Sequence, residues 1–584
     1  MGVEREIILR AMNLPLLTGA AIIAATAGLL SLWIRNTYGG YGWLERVPER
    51  GRGLKKALVV LAAVYFVVYC WLSIHRYHKL MLGAWDLGIF ESLIANAAEG
   101  RFFRDYRGPF DHFSPAVYLY LPLWAIWRDA RVLLVLQTAV LVLAVWPLYL
   151  LAREVSGSIF YGALLGVLYL LYPLLGSGNL YDFHAVALSP VFFFSMLLFM
   201  RRERWRLFAL FAVLLLFVKE GEAVLVFGTG LYLFLTGRRR VGFVTIVFSV
   251  VWTAAVLFVV MPALTGETFR HFSRFDPSTA TAAPPAARAA QAVALMVYAL
   301  LPISFLPARR WRTLVCLFVP AVAVNFFATS AYQWVLFGHY GLTVTSAALG
   351  AAALSLPECA RERERHVRAL PVFALIAAVL CNVLFSYPAN RRWARPAEYL
   401  RLADSWNILS MPVPVTPERR DFYTLSSHDR IFLAAKDYFP HDASIAAQNN
   451  LGYFFAGRQP LFDLSPEVEA DFYIFDLLKN YDLDRSTYDA MMKRFAEDPQ
   501  VVRFLRLGSA EGLHFLFFAQ GERWMDFYER ALAAAERAGD ESEPRIIVSA
   551  VEETLGLPAT YPAVMRALRP HTVVRDAAEG PDEQ

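Results

Sequence analysis

Long apolar runs separated by short basic clusters constrain this chain more than any other feature. Several runs reach the roughly 17–25 residues that an α-helix needs to cross a bilayer. Of the 584 residues, 57% are hydrophobic and only 18% are charged, which excludes an ordinary soluble globular protein. The net charge of +5 does not indicate nucleic-acid binding, because the basic residues lie between apolar runs. The sequence predicts an all-α polytopic membrane protein.

The basic clusters predict how the helices are oriented. Loops rich in Arg and Lys stay in the cytoplasm, and the clusters fit one orientation with the N-terminus outside. About twelve membrane helices are expected, counting a short pair as two. The predicted segments are 12–34, 57–74, 132–152, 159–175, 186–200, 207–235, 241–261, 292–306, 314–328, 342–356 and 369–385. The clusters predicted to be cytoplasmic are 35–56, 201–206, 238–240, 309–312 and 361–368.

The segment 207–235 is predicted to be broken. As one helix it would hold Lys219, Glu220 and Glu222 at mid-membrane, where each charge costs about 2.5–3.5 kcal/mol. Two helices of about a dozen residues that meet at these charges avoid that cost, and broken helices are tolerated where they line a cavity in the protein. We expect a hairpin with its tip toward the outer leaflet.

The last third of the chain has no further spanning segment and predicts a soluble α/β domain. Short strands at 444–447, 472–475, 501–507 and 513–519 alternate with helical patterns at 431–439, 488–495, 523–538 and 543–568. The tail 576–584 is expected to be disordered. The predicted domains are an N-terminal anchor with a cytoplasmic loop (1–56), a transmembrane domain (57–386) and an extracytoplasmic α/β domain (387–584).

Two acidic stretches in the first external loop are candidates for chemistry. Asp86 precedes an amphipathic pattern that ends at Gly100, so it is either a helix N-cap or an acid at the mouth of a cavity. Asp111 and His112 precede Ser114-Pro115, a helix start with Pro at the first helical position, so they are either turn residues or a functional pair.

Further candidates also have two interpretations. Lys219, Glu220 and Glu222 are either a self-neutralising Lys–Glu group or residues that the hairpin presents for function. Arg270, His271 and Arg274 are either solvated loop charges or a phosphate-binding group. The remaining polar candidates in predicted external loops are Asp182, His184, His339 and Tyr340. No metal site is predicted, because Cys70, Cys316, Cys359 and Cys381 lack ligand spacing. No P-loop, dinucleotide fingerprint or HExxH motif is found in the sequence.

Four stretches together resemble a family of uncharacterised membrane proteins from bacteria and archaea. They are Trp85-Asp86-Leu87-Gly88-Ile89-Phe90, Asp111-His112-Phe113-Ser114-Pro115, Lys219-Glu220 and the stretch 439–449. The resemblance covers roughly residues 60–480. That family is similar to the GT-C superfamily of integral-membrane glycosyltransferases, so the expected fold is GT-C-like.

The resemblance implies a lipid-linked sugar donor, usually a polyprenyl-phosphate sugar, used on the extracytoplasmic face of the plasma membrane. By position it makes Asp86 the base, with Asp111, His112 and Glu220 as further catalytic residues. Substrate-binding roles are expected for Lys219, Asp182, His184, Arg270, His271, His339 and Tyr340. The paired acids of several GT-C members are absent around Asp86, which argues against a tightly bound divalent metal. A divalent cation (Mg or Mn) is left as an open expectation.

The expected partners are the lipid-linked sugar donor, membrane lipids and an acceptor that the sequence does not identify, with no nucleic acid. Two alternatives to the transferase stay open. A transporter or flippase would place its polar residues near the midplane, whereas here they gather at one predicted surface. A non-catalytic assembly protein of the cell envelope would use the exterior domain as its working part.

Overall fold

The computed structural model of the chain describes most of its length. The described residues are 24–33, 36, 51–275, 293, 296–297, 299–328, 333, 336, 338–361, 373–381, 424–457, 460–478, 483–509, 512–538 and 542–556. The chain divides into two compact units. The first comprises Met1–Ser73, Phe110–Tyr120 and Leu134–Pro417, and the second comprises Ile74–Pro109, Leu121–Leu133 and Glu418–Gln584.

Three helices are long and apolar enough to cross a membrane, namely Gly53–His78, Ala130–Ser156 and Arg239–Thr265. A fourth candidate is the pair Ile159–Leu170 and Pro173–Leu180, which is bent by 46°. Pro173 occupies the first turn of its helix, where the missing N–H costs nothing, and the chain bends just before it. The chain is therefore membrane-embedded, whereas the count of about twelve spans and their orientation stay predictions.

The segment around Lys219 is broken, as the sequence predicts. Helices Trp205–Leu216 and Ala223–Leu235 are separated by a 3-10 turn at Glu220–Glu222. Other helices described between Leu134 and Pro417 vary in length, from three residues in Trp311–Thr313 to 22 residues in Tyr340–Arg361. They include Val145–Ser156, Ser189–Arg201, Arg239–Ala255, Met261–Thr265 and Val319–Phe327, with π-helical turns at Val256–Val260 and Leu314–Phe318.

Close backbone contacts hold the helix Ala223–Leu235 in place. A Cβ atom on Gly228 would overlap the carbonyl oxygen of Cys316, in the π-helical turn Leu314–Phe318. On another side, a Cβ atom on Gly242 would overlap the backbone nitrogen of Phe234. Both glycines therefore allow neighbouring helices to approach more closely than any side chain would permit, and this fixes the position of the turn that carries Lys219 and Glu220.

The second unit is built on a mixed five-stranded sheet. After a small ribbon of β1 (Arg104–Asp105) and β2 (Gly108–Pro109), its strands are β3 (Ile445–Ala447), β4 (Leu461–Asp463), β5 (Phe472–Asp476), β6 (Val501–Ser509) and β7 (Gly512–Gln520). The spatial order is β4-β3-β5-β7-β6; β3 is parallel to β4 and β5, and β7 is antiparallel to β5 and β6. The helices of this unit include Ile89–Ala98, Leu121–Trp127, Ser427–Ala435, Arg485–Glu497, Arg523–Ala538 and Ser542–Leu555.

The predicted α/β character of the C-terminal region is confirmed, with small differences. Four predicted strands are present, each with bounds within two residues of those expected, whereas β4 was not expected. The helix predicted at 431–439 begins earlier, at Ser427, because Ser426 and Asp429 form a capping box. Parts of the predicted segments 12–34, 292–306 and 369–385, most of the clusters 35–56 and 361–368, and the tail 576–584 lie outside the described residues.

Candidate functional site

A cavity of about 720 Å³ lies in the first unit, with an apolar wall and one polar end. Its apolar wall includes Phe227, Val250, Leu257, Phe258, Phe272 and Val324. Its polar lining includes His112, Lys219, Glu220, Glu222, His271, Arg274, His339, Tyr340 and Thr343. The volume is in the range of about 300–1,000 Å³ that is usual for ligand sites.

His112 and Glu220 form a hydrogen-bonded pair at the polar end. His112 Nδ1 lies 2.7 Å from Glu220 Oε1, and the other carboxylate oxygen accepts the backbone N–H of Phe113 at 3.2 Å. The loop is anchored because Phe113 is buried and packs edge-on against Phe217 and Trp252. Glu220 therefore fixes the imidazole through Nδ1, which leaves Nε2 as the nitrogen able to accept a proton or a ligand.

Asp111 and His271 stand beside this pair. The rings of His112 and His271 are stacked, with centroids 4.1 Å apart and planes 12° apart. His271 Nε2 lies 3.4 Å from Asp111 Oδ2, and this buried nitrogen makes no hydrogen bond to any described residue. One ligand atom each from Asp111, His112 and His271 lie within 4.8 Å of one another. These three side chains could therefore hold a metal ion.

Both imidazoles are shifted toward their neutral form. Burial, followed by the positive charge of Lys219, holds the pKa of His112 well below its ordinary value. Burial also lowers the pKa of His271, although the nearby Asp111 carboxylate opposes part of that effect. Near neutral pH, the stacked pair therefore adds no positive charge to the cavity.

Two basic side chains supply the positive charge. Lys219 follows the helix Trp205–Leu216 and makes no hydrogen bond or ion pair with any residue that the structure describes. Arg274 lies in the 3-10 helix Arg270–Phe275, and its guanidinium donates to the Tyr340 hydroxyl at 3.1 Å. Both line the cavity, so their charges face the space that a ligand would occupy.

Glu222 is a second carboxylate in the same turn. It is 2% exposed, and the Thr343 hydroxyl donates to its Oε1 at 2.5 Å. Its Oε2 is buried and has no hydrogen-bond partner among the described residues. Because Glu222 also lines the cavity, its carboxylate is a candidate to accept a proton from a ligand.

Asp182 and His184, which were predicted to bind substrate, lie in a loop whose backbone is held by side-chain hydrogen bonds. The side-chain amide of Gln137 donates to the carbonyl oxygen of Asp182 at 2.7 Å, and Gln137 Oε1 accepts the N–H of His184 at 2.8 Å. The ring of His184 stacks on that of His339, with centroids 3.6 Å apart. His339 and Tyr340 line the cavity, so His184 packs against a lining residue on the side away from the cavity.

The structure adds Thr343 to the candidates named from the sequence and separates Arg270 from them. Glu222, Arg274 and Thr343 line the cavity, and Thr343 gave no sequence signal because it stands in an apolar helix. Arg270, predicted to bind substrate, is exposed on the same short helix as Arg274. Its side chain is not among the cavity lining found in the described part of the chain.

Asp86, the predicted base, belongs to the second unit. It lies inside a π-helical turn, Ala84–Gly88, that continues into the helix Ile89–Ala98, and the residue at the N-cap is Gly83. The interpretation of Asp86 as an N-cap is therefore wrong. The prediction that Asp86 shares a cavity with Asp111 and Glu220 stays a prediction.

The loop around Asp86 packs against a segment of the C-terminal domain within the second unit. The backbone N–H of Trp85 donates to Asn449 Oδ1 at 2.8 Å. A Cβ atom on Gly88 would lie 3.3 Å from the Cβ of Ala456, so the absence of a side chain permits close packing there. Leu87, Ile89 and Phe90 are buried. Much of the Trp85–Phe90 motif is therefore explained by packing.

Comparison with known proteins gives one family and a small set of distant structures. A family model described as "Predicted membrane protein (DUF2079)" matches residues 76–489, which confirms the resemblance to an uncharacterised membrane-protein family. No curated protein matches the chain. Two solved structures of ArnT from Cupriavidus metallidurans, one bound to undecaprenyl phosphate and one in the apo state, match with 11% and 10% identity. Their TM-scores are 0.48 and 0.45, and each match covers 79% of this chain and 98% of that chain.

Proposed function

We propose that this chain, which belongs to the DUF2079 family of predicted membrane proteins, is an integral-membrane glycosyltransferase. It would move a sugar from a polyprenyl-phosphate donor to an acceptor on the extracytoplasmic face of the bacterial plasma membrane. The proposal rests on one observation, the cavity of the first unit, which joins an apolar wall to a polar end with two basic side chains and several acids.

The apolar wall suits a lipid tail. Much of it comes from the membrane-spanning helix Arg239–Thr265, whose residue Phe258 lines the cavity and is also 66% exposed. Val250, from the same helix, lines the cavity and is 52% exposed. Side chains that line the cavity and are also exposed on the surface of the protein would let a lipid enter the cavity sideways from the bilayer. Its apolar chain would then contact the cavity wall in place of neighbouring lipids.

The polar end suits the donor phosphate. Lys219 and Arg274 present an ammonium and a guanidinium to the cavity, and such groups make charge-assisted hydrogen bonds to phosphate. When the sugar leaves, negative charge develops on the phosphate oxygen that had been bonded to it. Basic groups fixed at that point stabilise the transition state more than the ground state, which is the requirement for catalysis.

The transfer would be a single displacement. The acceptor hydroxyl oxygen forms a bond to the anomeric carbon, and the bond from that carbon to the phosphate oxygen breaks, with its electron pair leaving on the phosphate. The hydroxyl proton passes to a base, for which we propose Glu222, because this residue lines the cavity and its Oε2 has no hydrogen-bond partner among the described residues. Asp86 stays the alternative base predicted from the sequence.

Proteoliposomes that contain the purified protein test this function. They would be loaded with a panel of fluorescent polyprenyl-phosphate hexoses and pentoses, together with candidate acceptors on one side. We expect release of free polyprenyl phosphate and a sugar-labelled acceptor, both lost in Lys219→Met. Removing one charge-assisted contact costs about 1.5–3 kcal/mol, so the binding of undecaprenyl phosphate should weaken by about 10–100-fold in that variant.

The matched control is Lys436→Met, which removes a basic side chain from the second unit and should leave binding unchanged. Movement of intact lipid-linked sugar between leaflets, with its sugar–phosphate bond unbroken, would identify a flippase and overturn the proposal. Equal affinity of the wild type and Lys219→Met for undecaprenyl phosphate would remove the proposed phosphate site.

A further inference from the structure

We infer that Asp111, His112 and His271 bind a divalent transition-metal ion of the zinc class. The three side chains come from two separate stretches of the chain, yet one ligand atom from each lies within 4.8 Å of the others. A tetrahedral ion with bonds of about 2.0–2.2 Å holds its ligand atoms about 3.4 Å apart. His271 Nε2 and Asp111 Oδ2 have that separation, at 3.4 Å, and the stacked rings of His112 and His271 must tilt out of their parallel arrangement to direct both nitrogen lone pairs at one ion.

The donor set selects the class of ion. Two imidazoles and one carboxylate suit Zn²⁺ and its transition-metal neighbours, whereas Mg²⁺ and Ca²⁺ prefer sites made of oxygen ligands alone. Three protein ligands leave a fourth tetrahedral position open, which is the arrangement of catalytic rather than structural zinc sites. The inferred ion therefore differs from the Mg or Mn that the sequence left open.

Glu220 orients one of the ligands. Metal-binding histidines usually donate their second ring N–H to a carboxylate, which fixes both the tautomer and the ring orientation. His112 has this arrangement, because its Nδ1 lies 2.7 Å from Glu220 and its Nε2 is left to coordinate. Glu220 is itself held by the N–H of Phe113.

Charge balance supports the same conclusion. Three carboxyl groups (Asp111, Glu220 and Glu222) stand around the polar end, against two basic side chains (Lys219 and Arg274). An incoming lipid phosphate would add negative charge beside these carboxyl groups. A divalent cation at Asp111 reverses that balance, and its open position could bind a phosphate oxygen of the donor. This catalytic role rests on the proposed function, whereas binding of the ion does not.

Metal binding can be measured without any substrate. The purified full-length protein would be stripped with a chelator, and Zn²⁺ and Co²⁺ binding followed by calorimetry and by the visible absorption of bound cobalt. We expect about one ion per chain. Asp111→Asn and His271→Ala should each weaken binding at least about tenfold, and Glu220→Gln about 10–100-fold through the orientation of His112. His441→Ala removes an exposed histidine of the second unit and should not change the affinity.

The variants distinguish the possible results. Asp111→Asn and Glu220→Gln are close in shape to the native residues, and an unchanged unfolding temperature without metal will show that they fold. Equal Zn²⁺ affinity in the wild type and all three site variants, or no bound ion in the wild type, overturns the inference. Transfer activity that persists in chelator, without a bound ion, would refute the catalytic role inferred for the ion and leave the transferase proposal intact. A specifically bound ion in a protein that shows no transfer activity would support the metal site and refute the transferase proposal.

Discussion

His112 Nδ1 lies 2.7 Å from Glu220 Oε1, although the two residues are 108 positions apart in the chain. The contact joins the loop after Phe110 to the break between the helices Trp205–Leu216 and Ala223–Leu235. Because Glu220 also accepts the N–H of Phe113, one carboxylate satisfies two donors of that loop. Glu220 therefore has a structural role as well as the role proposed for it in the site.

These two roles can be separated by two substitutions of Glu220. A glutamine can still accept the Phe113 N–H while its amide donates to His112, so the unfolding free energy of Glu220→Gln should change by less than about 1 kcal/mol. Leucine leaves both donors without a partner, and Glu220→Leu should lose about 2–6 kcal/mol. Denaturant unfolding in detergent micelles measures both. Equal stability of the two variants would show that the carboxylate does not hold the loop.

The glycine at position 228 should be intolerant of any side chain. Because a Cβ atom there would overlap the Cys316 carbonyl, Gly228→Ala forces a helix to move and should cost about 1–3 kcal/mol. Gly221→Ala is the matched control, since no atom lies within 4 Å of its Cβ position, and it should change stability by less than about 0.5 kcal/mol. Thermal unfolding of the two purified variants would show the difference, and a stable Gly228→Ala would contradict the close helix contact.

The identity of the base can be tested with a pair of isosteric variants. Glu222→Gln keeps an oxygen for the Thr343 hydroxyl but cannot take a proton, so transfer should fall by about 10²–10⁴-fold. Asp86→Asn should fold normally and retain transfer if Glu222 is the base. The rate of sugar-labelled acceptor formation measures both. Loss of transfer in Asp86→Asn together with full activity in Glu222→Gln would return the role of base to Asp86.

Stability should fall as the solution becomes acidic. Burial lowers the pKa of His271 in the folded protein, so below about pH 6.5 the unfolded chain binds a proton that the folded chain does not. The unfolding free energy therefore decreases as the pH falls through that value. His271→Asn should reduce this slope by up to about 1.4 kcal/mol per pH unit. Unfolding curves at pH 5 and 7.5 measure it, and an unchanged slope would mean that His271 is protonated in the folded state.

The sequence predicted those helices and strands that are determined by their own residues rather than by contacts with distant parts of the chain. The helix Arg523–Ala538 has the predicted bounds, because its apolar residues recur at helical spacing over its whole length. The break at Lys219 was predictable because burying several charges in one straight helix is costly. Strand β4 has only three residues after Pro460, and its strand pairing depends on β3, so no local pattern indicates it.

The site was only partly predictable, for the same reason. Asp111, His112, Lys219 and Glu220 stand out as charges beside apolar segments. The role of Arg274 in place of Arg270 depends on which face of a single 3-10 turn meets the cavity, and sequence spacing in a loop does not specify that. The stacking of His112 on His271 joins stretches far apart in the chain. Tertiary packing alone brings them together.

The hydrogen bond from Trp85 to Asn449 has a consequence for how the protein is made. Its partners are 364 residues apart, and a ribosome adds about 5–20 residues per second, so the loop around Trp85 waits roughly 20–70 s for the segment it packs against. During that time Leu87, Ile89 and Phe90 lack the contacts with this segment that help to bury them. A nascent chain that stops before Asn449 would keep this apolar loop exposed at the membrane surface, where chaperones and proteases recognise incomplete products.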